Sequence, residues 1–500
     1  MSGVTEHREV EYKYRVPANL EIDVAALLTQ LVSSVSVEPQ RSMFATYYDT
    51  SNLTLLRWGI TLRYRTGGGD DGWHMKIPGD ESASTVVRDE IRIDADPGAV
   101  PIQLASIVSP LIRRQEILAL AVVHTERQPF LVTGQSGERL LEVVDDSVEV
   151  GAPGDRPTSR FREIEVELLS DDALVLARSI GDALVAAGVA GSSVSKAAAA
   201  LGRRASEPPD VPVVHYPEHD APAIDALQAI FSRYVRDLLL ADVGVRRGRP
   251  DSVHQMRVAC RRLRGALATF RPLLDGDATT FLREELAWLA TELGHVRDTE
   301  VQIAVLGEAI TDEETLAFIM QHLTQRLRAA ESSSLAALRS DRHDFLIEDL
   351  ILLVGEPPVS PSAFESVTAA IAPCVAKPWR KLARSVERSS GVADGETWHR
   401  IRINAKRARY AVEAVAPMFG SDYRRLGKSL SWVTDTLGSR QDAQVSVLTL
   451  QEIAAQAPAE IAYRLGQYAA RREMTGDSDV RMFLERWPAI ADQARLLGLD

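Results

Sequence analysis

Cysteine is nearly absent. Only Cys260 and Cys374 occur in 500 residues, which excludes a disulfide framework and fits a reducing compartment. Each reads as a small buried apolar side chain rather than a reactive thiol. Long hydrophobic runs are missing as well: no stretch approaches the roughly 18 apolar residues of a membrane span. Met1 to Arg8 lacks the apolar centre of a signal peptide. The expectation is a soluble, cytoplasmic protein. Net positive charge is also lacking. At −13, with a pI near 5.4, the chain is unsuited to coating nucleic acid in general. The 45% apolar content is ordinary for globular protein, and the length implies two or three domains.

Charge is concentrated locally. Residues 246–271 carry eight arginines against one acid, Asp251, a patch that fits one dedicated anionic partner. At the other end, Glu9-Val10-Glu11-Tyr12-Lys13 alternates charged and apolar residues. On a strand Glu9, Glu11 and Lys13 share one face, and Val10, Tyr12 and Tyr14 the other. Two neighbouring carboxylates repel unless a cation lies between them, and a lysine one step further suits an anion bridged by that cation. Glu163, Glu165 and Glu167 repeat the pattern, opposite Ile164, Val166 and Leu168. Cationic strands lie between: Arg63 with Arg65, His74 with Lys76, Arg88 and Arg92 flanking Glu90, and Arg127. This alternation fits an ordinary solvated sheet. It equally fits a closed barrel with a charged lumen, since about eight strands can enclose a small ligand.

The chain changes character near residue 205. Before it, short strands are bounded by turns such as Gly67–Gly72, with helices expected at 21–33, near 101–121 and at 171–187. Residues 203–222, with five prolines, read as a linker. Beyond it the period is helical. An internal repeat places His254, Arg257, Arg261 and Arg264 at an offset of 145 from His399, Arg402, Lys406 and Arg409. Leu293-Gly294 with Arg297-Asp298 matches Leu437-Gly438 with Gln441-Asp442. Each basic set forms one helical stripe about 15 Å long. Alone, such a stripe is equally a solvated face with surface ion pairs. Two duplicated, histidine-headed stripes suit a linear polyanion, because arginine offers forked donors to phosphate oxygens.

These motifs carry a family resemblance. Glu9-x-Glu11-x-Lys13, Tyr47-Tyr48-Asp49-Thr50, Leu62-Arg63-x-Arg65, Trp73 to Lys76, Arg127, Asp145-Asp146 and Glu163-x-Glu165-x-Glu167 resemble a CYTH domain of the triphosphate tunnel metalloenzymes. The histidine-headed repeats resemble a CHAD domain. The fold implied is α+β and multidomain: an antiparallel β-barrel tunnel over 5–202, a linker over 203–222 and an all-α bundle with an internal repeat over 223–500.

The resemblance implies Mg2+ or Mn2+ held by Glu9, Glu11, Glu163, Glu165, Glu167 and Asp145, with Asp146 the alternative to Asp145. It implies phosphate binding by Lys13, Arg63, Arg65, Lys76, Arg127 and Lys196, and a part in catalysis for Tyr47 and Lys76 near the leaving group. The activity implied is hydrolysis of inorganic triphosphate, with inorganic polyphosphate held by the two basic stripes and an association with polyphosphate granules. Neither a membrane nor a specific nucleic acid is an expected partner. The alternatives are a polyphosphate-binding protein without catalysis, or a tunnel enzyme acting on thiamine triphosphate or nucleoside triphosphates, ATP cyclisation included.

Overall fold

The computed structural model describes residues 4–79, 86–192, 194–389, 395–473 and 477–500. It divides into two compact units, residues 1–210 and 211–500.

Among the described residues, the first unit is built on ten strands: β1 (Val4–Val16), β2 (Val35–Val37), β3 (Arg41–Asp49), β4 (Thr61–Thr66), β5 (Gly72–Pro78), β6 (Val86–Ile93), β7 (Leu118–Thr133), β8 (Arg139–Gly151), β9 (Ser159–Leu168) and β10 (Ala190–Gly191). Eight of them close an antiparallel barrel in the order β1-β6-β5-β4-β3-β7-β8-β9, and β9 returns to β1. The closing strand β1 is shared along its length. Val4 to Glu11 pair with β6, and Glu11 to Val16 pair with β9. Strict alternation on this wall turns the charged faces read from the sequence into the barrel interior.

The other face is apolar and needs cover. Tyr14 and Val16 of β1, Leu141 and Val143 of β8, and Ile164 and Val166 of β9 pack against α1 (Val24–Leu31) and α4 (Leu174–Ala186) through Leu28, Ile180 and Leu184. Asp23 caps α1 by accepting from the Ala26 amide, as expected of an N-cap aspartate. A four-residue helix α2 (Thr54–Arg57) follows β3. There the Asp49 carboxylate accepts from the amides of Thr50, Leu55 and Leu56, so this residue of the Tyr-Tyr-Asp-Thr motif shapes a turn.

The helix expected near 101–121 is shorter. α3 (Ile102–Ile112) stops at Arg113, whose φ is +56°, and Leu118 to Val123 join β7 opposite β3. Leucine and alanine favour helix weakly, and the strand pairing overrides that preference. After β10, Ser195 accepts from the Ala198 amide and caps α5 (Lys196–Leu201). This short helix puts Ala197 among the inward-facing Ala45, Val123, Val148 and Val150, an apolar plug at one end of the barrel.

The proline-bearing segment 203–222 is divided between the units. Glu207 pairs with Arg57, and Asp210 pairs with Arg113 and accepts from the Trp58 indole. Val211 is fully buried in the second unit.

That unit contains, among the described residues, twelve α-helices: α6 (Ala223–Arg246), α7 (Ser252–Thr269), α8 (Gly276–Glu292), α9 (Gly294–Ala309), α10 (Glu313–Leu338), α11 (Asp341–Gly355), α12 (Val367–Glu387), α13 (Gly395–Phe419), α14 (Ser421–Thr436), α15 (Ser439–Ala454), α16 (Ala459–Glu473) and α17 (Asp477–Leu496). The two basic stripes lie on α7 and α13. These helices pack together where Gly265 leaves room for the Tyr410 ring. No described helix is long and apolar enough to cross a membrane.

Candidate active site

The barrel interior holds a cavity of about 320 Å3 whose described lining includes nine Lys and Arg side chains against six Asp and Glu. The excess of cations suits a polyanion. Glu11, Asp146 and Glu163 lie behind this lining and are almost fully buried.

One wall interlocks acids with lysines. Lys13 Nζ stands 2.8 Å from Glu165 Oε1 and 3.2 Å from Glu11 Oε1. Arg127 donates to both Asp146 oxygens at 2.8 and 2.7 Å and to Glu165 Oε2 at 2.9 Å. Lys196 Nζ lies 2.9 Å from Asp146, 2.5 Å from Glu163 and 3.0 Å from Glu165. Burial alone would raise the Glu165 carboxyl, but Lys13, Lys196 and Arg127 outweigh it and hold the group well below its ordinary range. The same partners keep Lys13 and Lys196 protonated against their own burial.

The opposite wall is richer in arginine. Arg63 donates to Tyr47 Oη at 3.4 Å and lies 3.8 Å from Glu90. Glu90 also faces His74 Nδ1 at 3.1 Å. Burial would raise the Tyr47 hydroxyl, yet the Arg63 charge and hydrogen bond, with Lys196 and Lys13, bring it below its usual value. Arg65 pairs with Asp70, and burial and Arg63 push its guanidinium down to about 10. Lys76 contacts both Glu9 oxygens, at 2.7 and 2.5 Å.

The tunnel thus gathers Glu9, Glu11, Lys13, Tyr47, Arg63, Arg65, Lys76, Arg127, Glu163, Glu165, Glu167 and Lys196. Asp145 is not among them. It shares the outer face of β8 with Leu141 and Val143, where Arg162 binds both its oxygens at 2.8 and 2.6 Å. Asp146, one residue on, points inward, because successive strand residues face opposite ways. Arg41 and Glu142 also line the cavity and escaped the sequence reading. Period-two runs held the signal: Arg41-x-Met43-x-Ala45-x-Tyr47 and Glu142-x-Val144-x-Asp146.

Two acidic places differ in their fitness for a metal ion. Asp146, Glu163 and Glu165 bring ligand atoms within 4.8 Å of one another, but the Lys196 ammonium already neutralises them. Around Glu167 the balance is otherwise. Burial, then Glu9, raise its carboxyl to about 7 against the pull of Lys76, and Glu142 and Glu11 add to the rise. Glu9 Oε2 lies 2.5 Å from Lys76 Nζ, and Glu11 Oε1 lies 3.2 Å from Lys13 Nζ and 3.9 Å from Arg88. Glu11 and Glu167 sit opposite each other in the β1–β9 register. Glu167 is the carboxylate short of positive charge, and with Glu9 and Glu11 it forms an oxygen donor set of the kind a hard divalent cation takes.

The match to known families agrees with this geometry. CYTH domains match residues 7–199, and CHAD domains match residues 229–451. Uncharacterised proteins from two strains of Mycobacterium tuberculosis are 31% identical over 489 residues, 92% of either chain. The chain belongs to the CYTH–CHAD family. Among solved structures, the CHAD domain of the plant Ricinus communis is 27% identical over 54% of this chain and 93% of that one, with a TM-score of 0.46. A putative adenylyl cyclase of Hippeastrum, described as having a dominant triphosphatase activity, is 16% identical over 38% of this chain and 95% of its own, with a TM-score of 0.24.

In the CHAD domain the stripes are partly satisfied by the protein itself. Arg257 donates to the Gly294 carbonyl at 3.1 Å and to Asp298 at 3.0 Å. A Cβ on Gly438 would stand 3.1 Å from Arg402 Nη2, and one on Gly294 would stand 3.8 Å from Arg257. Arg261 donates to Tyr410 Oη, and Arg409 pairs with Glu413 at 2.6 Å. Burial and the neighbouring Arg297 favour neutral His254. The side chains of Gln441 and Asp442 lie outside the described residues.

Proposed function

We propose that the CYTH domain hydrolyses inorganic triphosphate to pyrophosphate and phosphate, and that the CHAD domain binds inorganic polyphosphate. The observation that carries the reading is the presence, inside one cavity, of an excess of Lys and Arg side chains beside one carboxylate, Glu167, that is short of positive charge. A triphosphate repels water as a nucleophile. Arg63, Arg65, Lys76 and Arg127 offset that charge and fix the phosphates in line, where positioning and charge stabilisation supply most of the rate. Glu9, Glu11 and Glu167 would hold Mg2+ or Mn2+, which would supply Lewis-acid stabilisation of phosphate charge. Tyr47, with its hydroxyl drawn down by Arg63, and Lys76, which contacts Glu9, would act as donors to the leaving phosphate.

The stripes lie on helices that touch, α7 and α13, and together would offer cations to a chain of phosphates. Such binding weakens with salt as counterions are released. It would place the protein on polyphosphate granules.

The experiment is phosphate release from inorganic triphosphate with Mg2+ and with Mn2+, in the wild type and a Glu9→Ala, Glu11→Ala variant. Metal-dependent turnover lost in the variant supports the hydrolase. A folded wild type that binds polyphosphate and shows no turnover refutes it, and thiamine triphosphate and nucleoside triphosphates are then the substrates to test.

A further inference from the structure

The two copies in the CHAD domain differ at one place. An offset of 144 residues, Val367 on Ala223, puts every described buried residue of α12 on a buried residue of α6. In the first copy the groove beside α6 is filled by the chain itself. Arg236 donates to the Val211 carbonyl at 2.5 Å, and Arg233 donates to Tyr216 Oη at 3.5 Å. Asp237 adds a carboxylate 3.8 Å from Arg262. Gly244 lets α6 approach α7 so closely that a Cβ there would meet Ser252 Oγ at 2.4 Å.

The second copy keeps two of these cations and gains two more. Arg380 stands on Arg236, Lys377 on Arg233, Lys381 on Asp237 and Arg388 on Gly244. A cleft of about 690 Å3 lies between α12 and α13. Its described lining holds six cations, with Arg384 and Arg400 completing the set, and no carboxylate. No ion pair to a described carboxylate holds Lys377, Arg380, Lys381, Arg384 or Arg400, whereas Arg257 and Arg409 of the stripes are paired. The row from Lys377 to Arg388 runs about 16 Å at 1.5 Å per residue. The first turns of α13 add the positive end of a helix dipole. At the base of the cleft, buried Asn404 donates to Ser385 Oγ at 2.7 Å.

We infer that the α12–α13 cleft is a second anion site, distinct from the stripes, that takes a compact ligand bearing several phosphate groups. Five guanidinium and ammonium groups without an ion pair to a described carboxylate, Lys377, Arg380, Lys381, Arg384 and Arg400, repel one another in one concave place unless an anion joins them. Arginine forks suit phosphate oxygens. The phosphates can come from short inorganic polyphosphate or from a phosphorylated organic molecule.

The test is arginine labelling by phenylglyoxal, read by peptide mass spectrometry, on the full chain without divalent metal. The probes are inorganic tripolyphosphate, inositol hexakisphosphate and sulfate at matched ionic strength. The expected result is protection of Arg380, Arg384, Arg388 and Arg400 by one of the first two at a concentration at least tenfold below that of sulfate. Whichever acts at the lower concentration identifies the source. Protection should persist in a variant with Arg257, Arg261, Arg402 and Lys406 all changed to Gln. Its midpoint should rise at least tenfold in Arg384→Gln, Arg400→Gln. Equal protection by sulfate, no protection, or protection lost with the stripe variant overturns the inference. Protected cleft arginines beside unprotected Arg257 and Arg402 would instead refute the polyphosphate stripes and leave the cleft standing.

Discussion

Lys196 is the sharpest place to perturb the tunnel. Its ammonium lies within 3.0 Å of three buried carboxylates, Asp146, Glu163 and Glu165. Lys196→Met keeps the bulk and removes the charge. Losing one partner of a buried ion pair costs about 3–5 kcal/mol, because the remaining charge stays uncompensated. Lys13 and Arg127 still serve Glu165, and Arg127 still serves Asp146, so the loss falls chiefly on Glu163. That carboxyl is already raised by burial and then by Glu165, against the pull of Lys196. Without Lys196 it rises further.

An acid whose folded pKa is raised binds its proton more tightly when folded, so stability falls as pH climbs through that pKa. The deficit of the variant is therefore larger at pH 8 than at pH 5. Hydrogen exchange of β8 and β9 peptides reads it locally, without contribution from the helical unit. About 3 kcal/mol is a hundredfold faster exchange at pH 8, at about 1.4 kcal/mol per decade. Adding Glu163→Gln should recover most of the protection. Exchange equal to wild type at pH 8 would refute the claim that Lys196 neutralises this cluster.

Three further outcomes follow from the geometry. Because Glu167 carries its proton up to about pH 7, Mn2+ affinity should climb about tenfold per pH unit below 7 and level off above it; titration calorimetry giving a flat profile from pH 6 to 8 would count against Glu167 as a ligand. Asp146→Asn should lower triphosphate turnover at least tenfold while Asp145→Asn leaves it within twofold, and the reverse order in a phosphate-release assay would contradict the strand phase. Gly438→Ala, whose Cβ would stand 3.0 Å from two carbonyls and 3.1 Å from Arg402, should destabilise the helical unit by about 1–3 kcal/mol in urea unfolding, and Gly294→Ala, with 3.8 Å to Arg257, by less.

Much of the barrel was legible because its wall is two-faced. Wherever three or more charged residues kept period two, as in Glu163, Glu165 and Glu167, their common face could be read directly. The phase was lost where charges were adjacent. Asp145 and Asp146 look equivalent in sequence, and only their strand neighbours Val143 and Val144 separate the outer face from the lumen. Arg41 and Glu142 were missed because each is a lone charge among apolar or small inward residues. Leu118 to Ala121 read as helix because alanine and leucine carry no strand signal of their own; pairing with β3 decides it. The α12–α13 cleft was hidden for another reason. Its cations come from two helices, and only the comparison with Gly244 and Asp237 in the first copy reveals what changed.

The sharing of β1 has a consequence for how this protein matures. Glu9 faces Arg88 through one pairing, and Lys13 faces Glu165 through the other. Until both seams are zipped, the first and last strands of the domain leave the proposed metal ligands on separate edges of an open sheet. A slip of one residue at either seam would turn Glu9, Glu11 and Lys13 toward the outer apolar layer. Circularising the sheet and assembling the chemistry are one event. Triphosphate turnover would then serve as a folding checkpoint, silent in every open or misregistered form and switched on only by closure.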